Sequence, residues 1–130
     1  DATLFVAGVD NNPTRRAVCE YAIEHNKPAI HAAVSRGGNE TYAMIQEPTK
    51  ACWACAYPGY LNKDEYPCNL PAINDVLLVL AGTIVFSIDT IVSDRPRKWN
   101  VRETFLDGTL PDRVRDIPRR ADCAVCGYLN

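Results

Sequence analysis

Four of the six cysteines in this chain stand in two Cys-x-x-Cys pairs, Cys52 with Cys55 and Cys123 with Cys126. No other feature constrains the fold as strongly. Two residues between cysteines let one tight turn aim both sulfurs at one ion, and two such turns supply the four thiolates of a closed tetrahedral zinc site, with sulfur at about 2.3 Å from the metal. The 67 residues between the pairs exceed the spacing of a compact zinc ribbon. The expected site therefore clamps the tail onto the middle of the chain. With all four ligands from protein no coordination position is open, so the expected role is structural. Two local disulfides, a redox pair and an iron–sulfur cluster are the competing readings. A redox pair calls for a thioredoxin-like setting, which the sequence does not show. The metal-like spacing favours a reducing, cytoplasmic location over a disulfide framework.

At 130 residues, 47% of them hydrophobic, the chain can bury one core, so a single unit over 1–130 is expected, with the ligands at 52–55 and 123–126. A net charge of −2 gives no global pull toward nucleic acid or anionic lipid. The longest charge-free apolar run, between Asp75 and Asp89, is thirteen residues, short of the roughly 20 needed to span a bilayer. The chain opens on Asp1 and enters an apolar segment at once, with no leader-like stretch. The expectation is a start inside a longer gene product.

Residues 4–9 read as a buried strand ending at Asp10. Asn12 is the expected N-cap of a helix to about residue 25, with Pro13 at its first position. Ala17, Val18, Tyr21 and Ala22 would face inward, and Arg15, Arg16, Glu20 and Glu24 outward. Residues 28–34 and 41–46 read as strands. Strand, helix, strand with short links predicts a partly parallel sheet in an α/β fold. Residues 48–71 look irregular. A long helix over 72–92, apolar almost all round, should be buried on most sides or lie in a homodimer interface. Residues 99–106 read as a strand before an Asp107-Gly108 turn. Gly127 is expected to take a positive φ just past the second cysteine pair.

Asp10 sits where a strand gives way to a helix, the place where open parallel sheets bind ligands. A carboxylate there can hold magnesium carrying phosphates, and Arg15 one turn on can meet phosphate. The alternative is simple helix capping. The segment Asp10-Asn11-x-x-Thr14-Arg15 is similar to a motif of the ThiF/MoeB/HesA-like adenylating enzymes of the ubiquitin-activating superfamily. The resemblance continues in order through the first Cys pair, the lone Cys68, the apolar helix, Phe105-Leu106-Asp107-Gly108 and Arg120-Ala121-Asp122-Cys123-Ala124-Val125-Cys126-Gly127. It spans nearly the whole chain, and the last segment is the most specific.

The resemblance implies the C-terminal half of a Rossmann-like adenylation domain with a mixed sheet and a four-cysteine zinc site. It implies a full-length enzyme that uses ATP and magnesium to adenylate the C-terminus of a ubiquitin-like or sulfur-carrier protein ending in Gly-Gly. Asp10 takes the place of the acidic residue that contacts magnesium-ATP. Cys68 falls near the cysteine that some members use for a thioester or persulfide. The family's glycine-rich nucleotide loop, ribose-binding acid and catalytic Arg and Lys belong to a preceding half, so this segment alone is expected to be inactive. A zinc-stapled scaffold or interaction module without catalysis is the second reading. Cys19 and His31 read as core, and His25 as a favourable helix-end charge. Arg95, Arg97, Lys98, Arg102, Arg113, Arg115, Arg119 and Arg120 interleave with six acids, which predicts an ion-paired surface, with no nucleic acid and no membrane as partner.

Overall fold

A computed structural model describes residues 1–34, 39–62 and 74–128. Five strands, β1 (Phe5–Ala7), β2 (Ala29–Val34), β3 (Glu40–Gln46), β4 (Val101–Phe105) and β5 (Arg113–Arg115), form one sheet in the order β1-β2-β3-β4-β5. β1 and β2 are parallel, and the remaining three junctions are antiparallel. The fold is mixed α/β, with parallel character confined to its first junction. β5 was not legible as a strand, because Arg-Val-Arg offers too few residues to show alternation.

Helices cover both faces. α1 (Asn12–Glu24) and the short α2 (Trp53–Ala56) lie on one side, followed by a 3₁₀ turn, Pro58–Asn62. The core there joins Cys19 of α1, Met44 of β3, residues 51–55, Val101, Val125 and Cys126. α3 (Asn74–Val92) covers the other face, where Ile30, Ile45 and Trp99 meet Phe86, Ile88 and Ile91. The cross-strand pair Ile30–Ile45 faces α3, and its neighbour His31–Met44 faces α1 and α2. Period-two alternation thus sends one set of side chains to each helical layer.

Three expectations are corrected. Asn11, not Asn12, is the N-cap: its side chain accepts from the Thr14 N–H at 2.8 Å, and Pro13 falls one place further in. The inner face of α1 is Arg15, Cys19 and Ala22, while Ala17 and Tyr21 are exposed. The helix is rotated because the guanidinium of Arg15 can satisfy strand-end carbonyls that apolar side chains cannot. α3 is half open to solvent. It buries Val76, Leu80, Ser87 and Thr90 and leaves Leu78 at 73% and Val92 at 66% exposure. By length and composition it could also cross a membrane, but Asp75 and Asp89 lie within it and it packs on β2 and β3.

Of the basic residues, Arg95, Arg97, Arg113, Arg115 and Arg120 are ion-paired. Glu103, buried, accepts from Arg113 at 2.7 Å and Arg115 at 2.6 Å, both from β5. Arg97 bonds the Trp99 carbonyl at 2.7 Å, Thr90 Oγ1 at 3.1 Å and the Glu47 carboxylate, tying α3 to the loop after β3.

Candidate metal centre and the adjoining polar core

The turn that opens α2 places Cys52 at its N-cap and Cys55 on its last turn, where the Cys55 N–H donates to the Cys52 carbonyl at 3.0 Å. The tail brings Cys123 and Cys126 to the same point. All four sulfurs lie within 4.8 Å of one another, with Cys52 to Cys55 at 3.9 Å, Cys52 to Cys123 at 3.7 Å and Cys55 to Cys126 at 3.4 Å. A tetrahedron with metal–sulfur bonds of about 2.3 Å has edges of about 3.8 Å. The four thiols therefore fit a single zinc ion, and none of the five described cysteines is in a disulfide. That disposes of the local-disulfide reading in this structure, since a disulfide brings sulfurs to about 2.05 Å.

The tail loop is shaped for this task by Gly127, through close approach and not through a positive φ. Its N–H donates to the Cys123 carbonyl at 2.9 Å, and an added Cβ would lie 2.5 Å from that same oxygen and 2.6 Å from the Ala121 carbonyl oxygen. The only glycine with positive φ among the described residues is Gly108. Asn100 fastens the start of the tail, donating to the Ile117 carbonyl at 2.7 Å and accepting from its N–H at 2.8 Å. The backbone N–H of Arg120 points at Cys55 Sγ at 3.5 Å.

Burial holds the Cys55 and Cys126 thiols above their ordinary range. Cys52 is raised by the adjacent Cys19 thiol and then by burial. Cys123 differs: burial pushes it up, but N–H groups of Cys126 and Val125 outweigh that and bring it down to about 7. A metal arriving at this site must therefore displace protons from most of its ligands.

Beneath the metal centre lies a buried polar core. Gln46, at the end of β3, donates from Nε2 to the Cys19 carbonyl at 3.1 Å. Its Oε1 accepts from the Trp53 N–H at 3.1 Å and faces His31 Nε2 at 3.1 Å. One side chain thus ties α1, β2 and the start of α2 together. The fixed orientation of the amide assigns the Nε2–H tautomer to His31, leaving Nδ1 as a buried acceptor with no partner among the described residues. Burial, then the Arg15 charge, lowers the His31 pKa to about 3. No sequence signal marked Gln46, which simply ends an apolar strand.

Asp10 is exposed in the loop after the parallel strand β1. Its Oδ1 accepts from Asn11 Nδ2 at 3.1 Å. Arg15, expected on the outer face of α1, is only 3% exposed. It donates to the carbonyls of Ala7 at 2.9 Å, Ala32 at 3.0 Å and Val9 at 2.5 Å, and its guanidinium lies 5.7 Å from the centre of the Tyr42 ring. It thus fixes the carboxyl ends of both parallel strands and the loop that carries Asp10. Cys68 lies outside the described residues.

This fold is shared with solved structures of low sequence identity. The structure is similar to E. coli MccB solved with MccA, with a TM-score of 0.73 and 17% sequence identity over 98% of this chain and 40% of that one. The Microcin C7 biosynthetic enzyme MccB in complex with N-formylated MccA superposes with a TM-score of 0.75 and 17% identity, over 98% of this chain and 42% of that chain. A heterocyclase in complex with substrate and cofactor superposes less well, with a TM-score of 0.61 and 11% identity over 96% of this chain and 20% of that one. The chain thus spans well under half the length of these neighbours. No protein-family model matches the sequence, nor does any curated protein.

Proposed function

We propose that this chain is the C-terminal part of an ATP-dependent enzyme that adenylates the C-terminal carboxylate of a peptide or small protein. The observation that carries the reading is the likeness to MccB over 98% of the chain, with Asp10 at the end of a parallel strand. MccB has been solved with ATP and with N-formylated MccA. The substrate class read from the sequence, a ubiquitin-like or sulfur-carrier protein ending in Gly-Gly, is the finer form of this proposal. In the reaction a carboxylate oxygen attacks the α-phosphorus of ATP, the bond to the β-phosphate oxygen breaks, and pyrophosphate leaves.

Asp10 would hold magnesium beside the phosphates, where negative charge accumulates during attack. Its Oδ1 is steadied by Asn11, and a carboxylate is the donor type that magnesium favours. Arg15 is the positioning residue, holding the Val9 carbonyl and with it the Asp10 loop. Zinc held by Cys52, Cys55, Cys123 and Cys126 fastens the tail beneath α1 and α2 and supplies no open coordination site. Cys68 would be the nucleophile of any later transfer, a role that iodoacetamide labelling faster than at Cys19 would support. The surroundings are a reducing cytoplasm, and the open face of α3 is the place where a homodimer would form. A Rossmann-like continuation would complete the sheet beyond β1.

ATP–pyrophosphate exchange by the full-length gene product tests the reading. Asp10→Asn should lower exchange at least about 100-fold while zinc content and circular dichroism stay unchanged. No exchange with any carboxylate-ended peptide, from a protein carrying an upstream nucleotide loop, would leave the zinc-stapled scaffold.

A further inference from the structure

Between the end of α1 and the metal centre lies a cavity of about 270 Å3. Cys52 and Cys126 form part of its wall, and Lys27, Lys50 and Arg119 form another part. Among the described residues no acidic side chain lines it. Lys50 pairs with Glu47 at 3.0 Å on the open rim. Arg119 donates to the Cys126 carbonyl at 3.2 Å, so its guanidinium is anchored on the metal loop itself. Arg120, outside the cavity, is bound by Asp122 at 3.0 Å. Lys27, Lys50 and Arg119 thus bring positive charge to the cavity that Cys52 and Cys126 also line.

A divalent ion held by four thiolates carries a net charge of −2. Buried charge is costly unless counter-charge or hydrogen bonds meet it. Cys52 and Cys126 are both essentially inaccessible, and among the described residues the backbone N–H that points at a ligand sulfur from beyond the two Cys-x-x-Cys turns, that of Arg120, is long at 3.5 Å. Resting on the zinc reading above, we propose that Lys27 and Arg119, with Lys50 at the rim, are the counter-charge of the loaded metal centre and set its affinity. The same cations could be read as a pocket for a phosphate-bearing ligand. The loaded centre weighs against that, since an anion in the cavity would sit against two thiolates whose charge the cations already answer.

Zinc affinity of the 130-residue chain, measured by competition with a chromophoric chelator, tests the proposal. Lys27→Gln and Arg119→Gln should each weaken binding about five- to tenfold, and the double substitution about 30- to 100-fold, the range typical of groups that act on a metal through its ligands. Wild-type affinity should fall as salt rises from about 0.05 to about 0.5 M, and the double variant should show a flatter dependence. Arg119→Lys should keep most of the affinity, because it keeps the charge. Arg16→Gln, which breaks an exposed pair with Glu20, should change nothing. If Arg119→Gln does not fold by circular dichroism, Lys27→Gln, outside the metal loops, carries the test. A wild-type chain that takes up no metal would sink the zinc reading itself. A wild type that binds zinc, with Lys27→Gln and the double variant unchanged in affinity and salt dependence, would sink the counter-charge proposal alone. Sub-millimolar binding of inorganic phosphate to the zinc-loaded chain, lost in Lys27→Gln, would overturn it in favour of a ligand site.

Discussion

Replacing Gly127 with alanine probes the metal loop at the point where the chain has least room. The new Cβ would stand 2.5 Å from the Cys123 carbonyl oxygen, 2.6 Å from that of Ala121 and 3.0 Å from the Cys123 nitrogen. Real Cβ atoms are essentially never found nearer than 3.0 Å, so two oxygens must move back by roughly 0.5 Å each, and both belong to main chain. Overpacking of this kind costs about 1–3 kcal/mol. Opening the loop also strains the Gly127 N–H bond to the Cys123 carbonyl, worth about 1 kcal/mol. The expected loss is about 2–4 kcal/mol. Because the displaced atoms belong to a ligand residue, zinc affinity should fall about tenfold or more. Urea unfolding of the zinc-loaded protein reads the first quantity as a lower midpoint with unchanged slope, and chelator competition reads the second. A variant within about 0.5 kcal/mol of wild type, with unaltered zinc affinity, would refute the argument from close approach.

Thr49 is a β-branched residue at φ 66°, third in a turn closed by the Lys50 N–H to the Glu47 carbonyl at 3.2 Å. Pro48 before it makes this the turn type that favours glycine there, so Thr49→Gly should raise stability by about 0.5–1 kcal/mol in thermal unfolding. Arg15→Lys cannot span the carbonyls of Ala7, Val9 and Ala32, and should cost about 2–4 kcal/mol. An unchanged stability with lost pyrophosphate exchange would instead place Arg15 on the substrate. His31 is kept neutral by burial and by Arg15, its pKa brought from 6.5 to about 3. The unfolded chain binds a proton below 6.5 that the folded chain excludes. Stability therefore falls as pH drops from there toward 3, at no more than about 1.4 kcal/mol per unit. His31→Gln should flatten the stability profile between pH 7.5 and 5.5 by about 1.4 kcal/mol. Since burial and the Cys19 contact raise the Cys52, Cys55 and Cys126 thiols, zinc affinity should weaken steeply as pH falls, in chelator competition from pH 8 to 6.

The convergence of the four cysteines was legible in the sequence because the spacing within each pair is a covalent property. Two residues between cysteines fix the bite of each half-site wherever the halves meet. β2, β3, β4 and the length of α1 were also legible, since periodicity and turn residues act locally. What could not be read was set by tertiary demand. Arg15 looks like a solvated charge on a helix until three strand-end carbonyls need donors, and their positions depend on the whole sheet. Gln46 acquires its role only when α1 and α2 close over it. Gly127 was marked as special, but a positive φ and a close approach both demand glycine, and only coordinates separate them. The half-open face of α3 shows the opposite limit: an apolar helix says that burial is favourable without saying what does the burying.

The clamp on the tail is tested most directly by elemental analysis joined to zinc X-ray absorption on the purified chain. One zinc per chain, surrounded by four sulfurs at about 2.3 Å, with the ion lost in Cys55→Ser or Cys126→Ser, is the predicted result. Absence of metal from protein purified under reducing conditions, or a shell containing nitrogen or oxygen in place of two sulfurs, would contradict it.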